Sequence, residues 1–319
     1  MASEFDIIRK YFTREAPTAI LGVGDDCALL APDPGMLLAV STDMLTSGIH
    51  FFPDADPAKL GHKALAVNLS DLAAMGAGPR WATLAIALPE ADETWIAAFA
   101  QGFFRLAGRW RTELIGGDTT RGPLAISVTV MGEVPAGLAL RRDAALAGDD
   151  IWLSGATGEA ALALAHLKGR VKLEGAALEA CLARLHAPEP RVDLGVKLRG
   201  LARSAIDVSD GLLADLGHIL EASRVGAELA SDKLPRARAI ADCPDKALAE
   251  DCLLAGGDDY ELLFTAPKVK RAQIGAVGRD LEIPLALIGA AVPGDPVARL
   301  RDARGKLASR PRKGFDHFA

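Results

Sequence analysis

The residues of this 319-residue chain best suited to chemistry are aspartates in short motifs: Gly24-Asp25-Asp26, Ser41-Thr42-Asp43, Asn68-Leu69-Ser70-Asp71, Gly117-Asp118 and Asp207-Val208-Ser209-Asp210-Gly211. Hard cations such as Mg2+ take carboxylate and hydroxyl oxygens, and Mg2+ usually joins one or two protein carboxylates to substrate phosphates. Asp beside Ser or Thr supplies that donor type, and an adjacent glycine lets a phosphate oxygen come close to the backbone. Each motif taken alone also reads as a turn, the commoner use of Asp next to Gly. Asp71 is harder to read that way, because it lies inside an otherwise apolar helical pattern where an unpaired carboxylate is costly to bury. Asp207 and Asp210 are three apart at a strand-to-helix turn, so their carboxylates could converge on one cation. Asp33-Pro34-Gly35 and Asp149-Asp150 read as plain surface turns.

Other chemistries lack their residues. There is no GxxxxGK[ST] loop, no HRD or DFG set, no GxGxxG after a strand, no HExxH and no GxSxG. Gly155-Ala156-Thr157-Gly158 could hold an anion at a helix start, although a tight turn is the plainer reading. Arg141-Arg142 is the best candidate for a phosphate-binding guanidinium, with a solvated surface pair as its default. His50, in Gly48-Ile49-His50-Phe51-Phe52, reads by itself as a partly buried structural histidine. Cys27, Cys181, Cys243 and Cys252 show no CxxC spacing and read as free thiols of a reducing compartment.

The elements that must position these residues alternate between strand-like and helix-like periodicity, which predicts a mixed α/β architecture. Leu37–Val40 is an apolar strand running into Ser41-Thr42-Asp43. Asp56-Pro57 opens a helix that reaches Met75, with Gly76 as its left-handed stop. Trp81–Leu88 reads as a buried strand, Asp92 as the cap of a helix, Leu114-Ile115 as a strand ending at Gly116, and Leu124–Val130 as the next strand. The pattern changes near Asp150, which places a domain boundary there. Helices follow after Thr157, around Ala176–His186 and over Arg191–Ala202, then a strand-turn-helix at Ile206–Leu220 and a strand at Tyr260–Thr265.

Half of the residues are hydrophobic, enough for a core in each of two domains, and 24% are charged. The net charge of −6 argues against a nucleic-acid binder. No run approaches the roughly 18 apolar residues of a membrane span, and the charged N-terminus has no signal-peptide core. A cytoplasmic protein with no membrane or nucleic-acid partner is expected.

The order of the motifs resembles the thiamine-monophosphate kinase family. It is carried by Gly22-Val23-Gly24-Asp25-Asp26-Cys27-Ala28, Ser41-Thr42-Asp43-Met44, Lys63 to Gly76, Gly116-Gly117-Asp118-Thr119-Thr120, Asp207-Val208-Ser209-Asp210-Gly211-Leu212 and Gly256-Gly257-Asp258-Asp259-Tyr260-Glu261-Leu262. The tail Lys313-Gly314-Phe315-Asp316-His317-Phe318 fits as well. The resemblance implies an α/β (mixed α+β), two-domain fold like that of aminoimidazole ribonucleotide synthetase. An N-terminal ATP- and Mg2+-binding domain (1–147) would pair in a homodimer, and a C-terminal α/β domain (148–319) would complete the active site. It further implies Asp26, Ser41, Thr42, Asp43, Asp71, Asp118, Asp207 and Asp210 as ligands of several Mg2+ ions, with Asp43, Asp118 and Asp210 catalytic. Asp26, Thr42, Gly117, Asp118, Arg142 and Ser209 would bind ATP, the co-substrate. His50, Asp258 and Phe315 would contact thiamine monophosphate.

Two positions depart from the family. Asp258 stands where Glu is usual, and Phe315 where an aromatic with a polar edge is often found. The implied reaction is direct in-line transfer of the γ-phosphoryl of ATP to thiamine monophosphate without a phosphoenzyme. The competing readings are another ATP-dependent synthetase of the same superfamily and a non-enzymatic Mg2+ or nucleotide-binding regulator. Because the aspartates come from both halves of the chain, the site is expected between the domains.

Overall fold

The computed structural model describes residues 3–307. Two units separate by their internal contacts: the chain up to Leu72 with Ala77–Gly137, and Ala73–Gly76 with the chain from Leu138 onward.

In the first unit Ser3 and Asp6 form a reciprocal capping box that starts α1 (Glu4–Ile7). β1 (Met36–Thr46) follows, then α2 (Pro57–Ala74), β2 (Gly78–Leu88), α3 (Glu93–Arg109), β3 (Glu113–Arg121) and β4 (Ala125–Pro135). The Asp56 carboxylate accepts the Lys59 N–H at 2.8 Å and caps α2, while Asp92 caps α3 through the Thr94 and Trp95 N–H groups. Gly76, at φ +64°, turns the chain out of α2.

The sheet order is β1-β4-β2-β3, antiparallel except for β2 with β3. One face carries the core, where Leu65, Leu69 and Leu72 of α2 and Ile96, Phe99 and Phe103 of α3 are buried with Trp81 and Ile126. The two helices meet at glycine: a Cβ on Gly102 would stand 1.8 Å from the Ala58 carbonyl oxygen. The other face is uncovered, with Leu38, Val40 and Met44 of β1 exposed at 42, 57 and 60%.

Two strands run further than the sequence suggests. Ser41-Thr42-Asp43 lies inside β1 rather than at its end, because pairing with Val130, Thr129 and Val128 of β4 satisfies its backbone. β3 likewise continues through Gly116-Gly117-Asp118, in parallel register with β2. Gly117 is needed there: at φ +150°, a Cβ would meet the Leu84 carbonyl oxygen at 1.8 Å.

The second unit is built on a six-stranded sheet in the order β10-β7-β9-β5-β8-β6. In chain order it comprises β5 (Asp150–Ser154), α4 (Glu159–Leu167), α5 (Gly175–His186), α6 (Val192–Leu198), β6 (Ser204–Asp207), α7 (Leu212–Ser223), β7 (Gly226–Ala230), α8 (Arg238–Asp242), α9 (Lys246–Ala255), β8 (Leu262–Ala266), α10 (Arg271–Asp280), β9 (Leu285–Val292) and β10 (Ala298–Arg301). β5 and β8 are buried along their whole length, as central strands covered on both faces are. α6 stops four residues before Ala202, where Gly200 at φ +71° reverses the chain.

Asp149 and Asp150 are not surface turns. Both carboxylates are buried beside the central strand and persist there because they are paired. Arg271 grips Asp150 through Nε and Nη2 at 2.5 and 2.7 Å, and Arg203 meets Asp149 at 3.1 Å. The four cysteines are free thiols, and burial pushes Cys181 up to about 12 and Cys252 up to about 11. Among the described residues no helix is long and apolar enough to cross a membrane.

Candidate active site

In the first unit, strand periodicity turns Ser41 and Asp43 toward the covered face of the sheet, and helical periodicity puts Asn68 and Asp71 on one side of α2. These two faces meet. The Ser41 hydroxyl donates to Asp71 Oδ2 at 2.5 Å, and Asn68 Oδ1 accepts the Asp43 N–H at 2.9 Å. Asn68 is itself anchored by donating to the Ala64 carbonyl at 3.0 Å. The result is a hydroxyl–carboxylate pair, Ser41 with Asp71, joining a strand to a helix, with Asp43 on the same strand face and tied to α2 through its backbone. Asn68 belongs to the Asn68-Leu69-Ser70-Asp71 motif, where residue type alone assigns it no role. Its spacing of three from Asp71 was the available signal.

Thr42 faces the other way, with its hydroxyl 2.8 Å from that of Thr129. Asp118 is on that uncovered face too, in register with Ala85 of β2. Because β1 and β3 are the two edges of the sheet, Asp43 and Asp118 stand three strand spacings apart, roughly 14 Å. One cation cannot join them within a single chain. Asp26 occupies an exposed loop closed by the Leu21 and Leu29 pairing, its N–H bonded to the Asp25 carboxylate at 2.8 Å. His50 is half-buried in the turn after β1, and its Nδ1 accepts the Thr46 N–H at 3.0 Å, leaving the proton of a neutral ring on Nε2.

In the second unit, β6 ends at the buried Asp207, and the chain turns through Val208–Gly211 into α7. Asp215, four residues into that helix and buried, reaches back so that its Oδ2 accepts the N–H groups of Ser209, Asp210 and Gly211 at 3.1, 3.1 and 3.0 Å. Burial pushes the Asp215 carboxyl up to about 7, against the lowering by these backbone donors. Nothing local in the sequence singles out Asp215. An acid in the first turn of a helix reads as an ordinary favourable charge at the helix start.

The segment Gly257–Glu261 packs on the same turn. Asp258 N–H donates to the Ser209 carbonyl and Tyr260 N–H to the Val208 carbonyl, at 2.9 and 2.8 Å. Asp258 and Tyr260 adopt left-handed φ of +67° and +53°, strained for residues other than glycine, and this delays the start of β8 to Leu262. The Tyr260 hydroxyl donates to Asp258 Oδ1 at 2.9 Å.

Asp259 is buried inside the unit, its two oxygens sharing the Gly158 N–H at the start of α4 at 2.9 Å each. The glycine-rich helix start is filled by the protein's own Asp259 side chain, and burial holds that carboxyl's pKa well above the usual range. Glu261 is buried against Arg191 and Ser154, so both acids are structural partners. Arg142 is exposed in a short turn, with its carbonyl accepting from Ser223, and Arg141 pairs with Asp143. Phe315 lies outside the described residues.

The fold and its acid-bearing strands define a class: residues 24–134 match the family model described as AIR synthase related protein, N-terminal domain. Full-length relatives narrow it. A thiamine-monophosphate kinase of Salmonella typhimurium is 45% identical over 323 residues, spanning 99% of this chain and 98% of its own. The chain belongs to the thiamine-monophosphate kinase family. Its structure superposes on the crystal structure of thiamine-monophosphate kinase from Stenotrophomonas maltophilia K279a with TM-score 0.85 and 49% identity, over 92% of this chain and 93% of that one. A second likeness, with TM-score 0.77 and 29% identity over 90% of this chain and 89% of that one, is to AaThiL complexed with AMPPCP and TMP.

Proposed function

We propose that this chain phosphorylates thiamine monophosphate to thiamine diphosphate, using ATP as phosphoryl donor. The observation that carries the reading is the end-to-end likeness to thiamine-monophosphate kinases at 45% identity. The acceptor is a phosphate oxygen, already ionised at neutral pH, so no strong general base is required. This fits a site of carboxylates and hydroxyls without a nucleophile–base pair, and no phosphoenzyme is expected.

The donor set fits Mg2+. Among the described residues no group of three or more His, Cys, Asp or Glu gathers as a ready metal cage. The reading needs only one or two carboxylates per ion, Asp43 and Asp71 on neighbouring elements and Asp207 and Asp210 three residues apart, since Mg2+ carried in with phosphates is normally held by one or two carboxylates. When bound, Mg2+ neutralises phosphate charge and aligns donor and acceptor. Ser41, Asp43 and Asp71 are the proposed holders in the first unit and Asp207 and Asp210 in the second, with Asp26, Thr42 and Asp118 as further ligands of several ions. Gly117, Arg142 and Ser209 are proposed at ATP, and His50, Asp258 and Phe315 at the acceptor. Asp258 is one methylene shorter than the family's usual Glu, and its bond from Tyr260 holds it in place.

A homodimer is part of the proposal. The uncovered sheet face exposes Leu38, Val40 and Met44, with Thr42 between the last two, and a second copy would cover this apolar surface. Asp118 lies on that face. Sedimentation at the mass of two chains is expected, and a monomer at micromolar concentration would refute the pairing. A cytoplasmic location fits the four free thiols.

The functional test is incubation with ATP, Mg2+ and separate acceptors, with products resolved by chromatography. Thiamine diphosphate and ADP in equal amounts are expected from thiamine monophosphate. ADP formed only with a purine precursor would favour a synthetase of the superfamily, and ATP binding without turnover would favour a regulator. Either result would overturn the kinase reading.

A further inference from the structure

The turn between β6 and α7 resembles, by position, the loops that cradle phosphate with their backbone N–H groups at a helix N-terminus. Here those groups are already taken. The N–H groups of Ser209, Asp210 and Gly211 all point to one oxygen of Asp215. The carbonyls of Val208 and Ser209 are also engaged, by the N–H groups of Tyr260 and Asp258, and Val208 N–H donates to the Glu261 carbonyl at 2.8 Å. Glycine lets the neighbouring chain in: a Cβ on Gly257 would stand 2.3 Å from the Ser209 carbonyl oxygen, and one on Gly211 would stand 2.8 Å from the Ala255 backbone. The backbone of this turn is thus fully occupied on its inner side.

Asp215 is only 2% exposed, so its carboxylate has lost nearly all its water. Burying a carboxylate is expensive unless it is well hydrogen-bonded, and a helix start has simpler caps available in Ser, Thr or Asn. What this arrangement achieves is direction. With its N–H groups turned inward, the turn cannot present an anion site, and it offers only side-chain oxygens outward.

We propose that Asp215 is a positioning residue for phosphoryl transfer: by holding the Ser209–Gly211 backbone from inside, it fixes Asp207 and Asp210 as a rigid pair of oxygen donors for a divalent cation. This rests on the kinase reading for the cation's purpose, but not for its binding. Asp215 does not itself touch substrate or metal. Because it acts through accepted hydrogen bonds, asparagine, whose amide oxygen can take the same three N–H groups, serves in its place. Leucine, of similar shape without an acceptor, does not.

The test uses the full chain with Mn2+ as probe, its binding followed by electron paramagnetic resonance without thiamine monophosphate. Circular dichroism melting reports the fold. Asp215→Leu is expected to weaken Mn2+ binding and lower kcat by about 10- to 100-fold, the usual effect of losing a group that orients a metal ligand. KM for thiamine monophosphate should stay within about twofold, since uniform binding of the acceptor is untouched. Asp215→Asn is expected to retain Mn2+ affinity and most of kcat, whereas Asp210→Asn loses both. A folded Asp215→Leu that binds Mn2+ as the wild type does would overturn the proposal, as would an Asp215→Asn as impaired as Asp210→Asn.

Should the leucine variant not fold, hydrogen exchange of the wild type decides. The amides of Ser209, Asp210 and Gly211 must be protected without nucleotide or metal, and free exchange there refutes the inference. If the wild type binds Mn2+ but never phosphorylates thiamine monophosphate, the kinase reading fails while the Mn2+ comparison still tests Asp215.

Discussion

Asp71→Asn is expected to lower kcat/KM for thiamine monophosphate by about 100- to 1000-fold, the range for removing one preorganised electrostatic group from a reacting centre. The change keeps shape and removes charge. Asp71 accepts a 2.5 Å hydrogen bond from Ser41, and the asparagine oxygen can accept it as well, so the β1–α2 junction should survive. The loss therefore reports charge against the phosphates and not a collapsed site. Ser41→Ala, which removes the hydroxyl and leaves the carboxylate, should cost far less. Steady-state kinetics at saturating and limiting Mg2+ separate the two, because excess Mg2+ should restore little of the Asp71→Asn loss if the carboxylate is a direct holder. Turnover within threefold of wild type would remove Asp71 from the machinery.

Glu261→Ala carries the largest expected loss of stability, about 3–5 kcal/mol, the usual cost of removing one partner of a buried ion pair. Arg191 donates to both oxygens of Glu261, through Nε at 2.7 Å and through Nη2, and Ser154 donates to Oε2 at 2.6 Å. Arg184 stands 3.5 Å away. Deleting the carboxylate leaves a guanidinium 16% exposed without its hydrogen-bonded counter-charge, and frees a cavity beside Gly155. Urea unfolding followed by far-UV dichroism should give the full loss, and a melting temperature lower by about 10 °C. Adding Arg191→Leu should recover part of it, because the double variant no longer buries a lone charge. A loss below 1 kcal/mol in Glu261→Ala would mean the pair is a solvated contact.

Much of the local structure can be read from residue order. Asp56 before Pro57, Asp92 before a patterned helix and Gly76 after α2 are signals whose physics is complete within a few residues, and the elements start and stop there. Strand ends were less legible. Ser41-Thr42-Asp43 and Gly116-Gly117-Asp118 look like stops because Ser, Gly and Asp favour turns, yet both stay in strands because β4 and β2 pair with them. Asp149 and Asp150 deceived for the opposite reason. A Gly-Asp-Asp turn gives no local hint that Arg203 and Arg271 will cover it.

The sequence by itself determined which donors exist and in what order, and hence the family and the chemistry proposed for it: hard oxygen donors suited to phosphate-bound Mg2+, without a motif for a nucleophile–base pair. Residue type and short spacing are enough for that, since carboxylate affinity for such cations does not depend on the fold. Only the tertiary structure decided how those donors are grouped. It joined Ser41 to Asp71 across thirty residues, set Asp43 and Asp118 at opposite edges of one sheet, and turned Asp215 inward to hold the turn that carries Asp207 and Asp210. Strand order, register and burial arise from contacts distant in the chain, and no local preference encodes them.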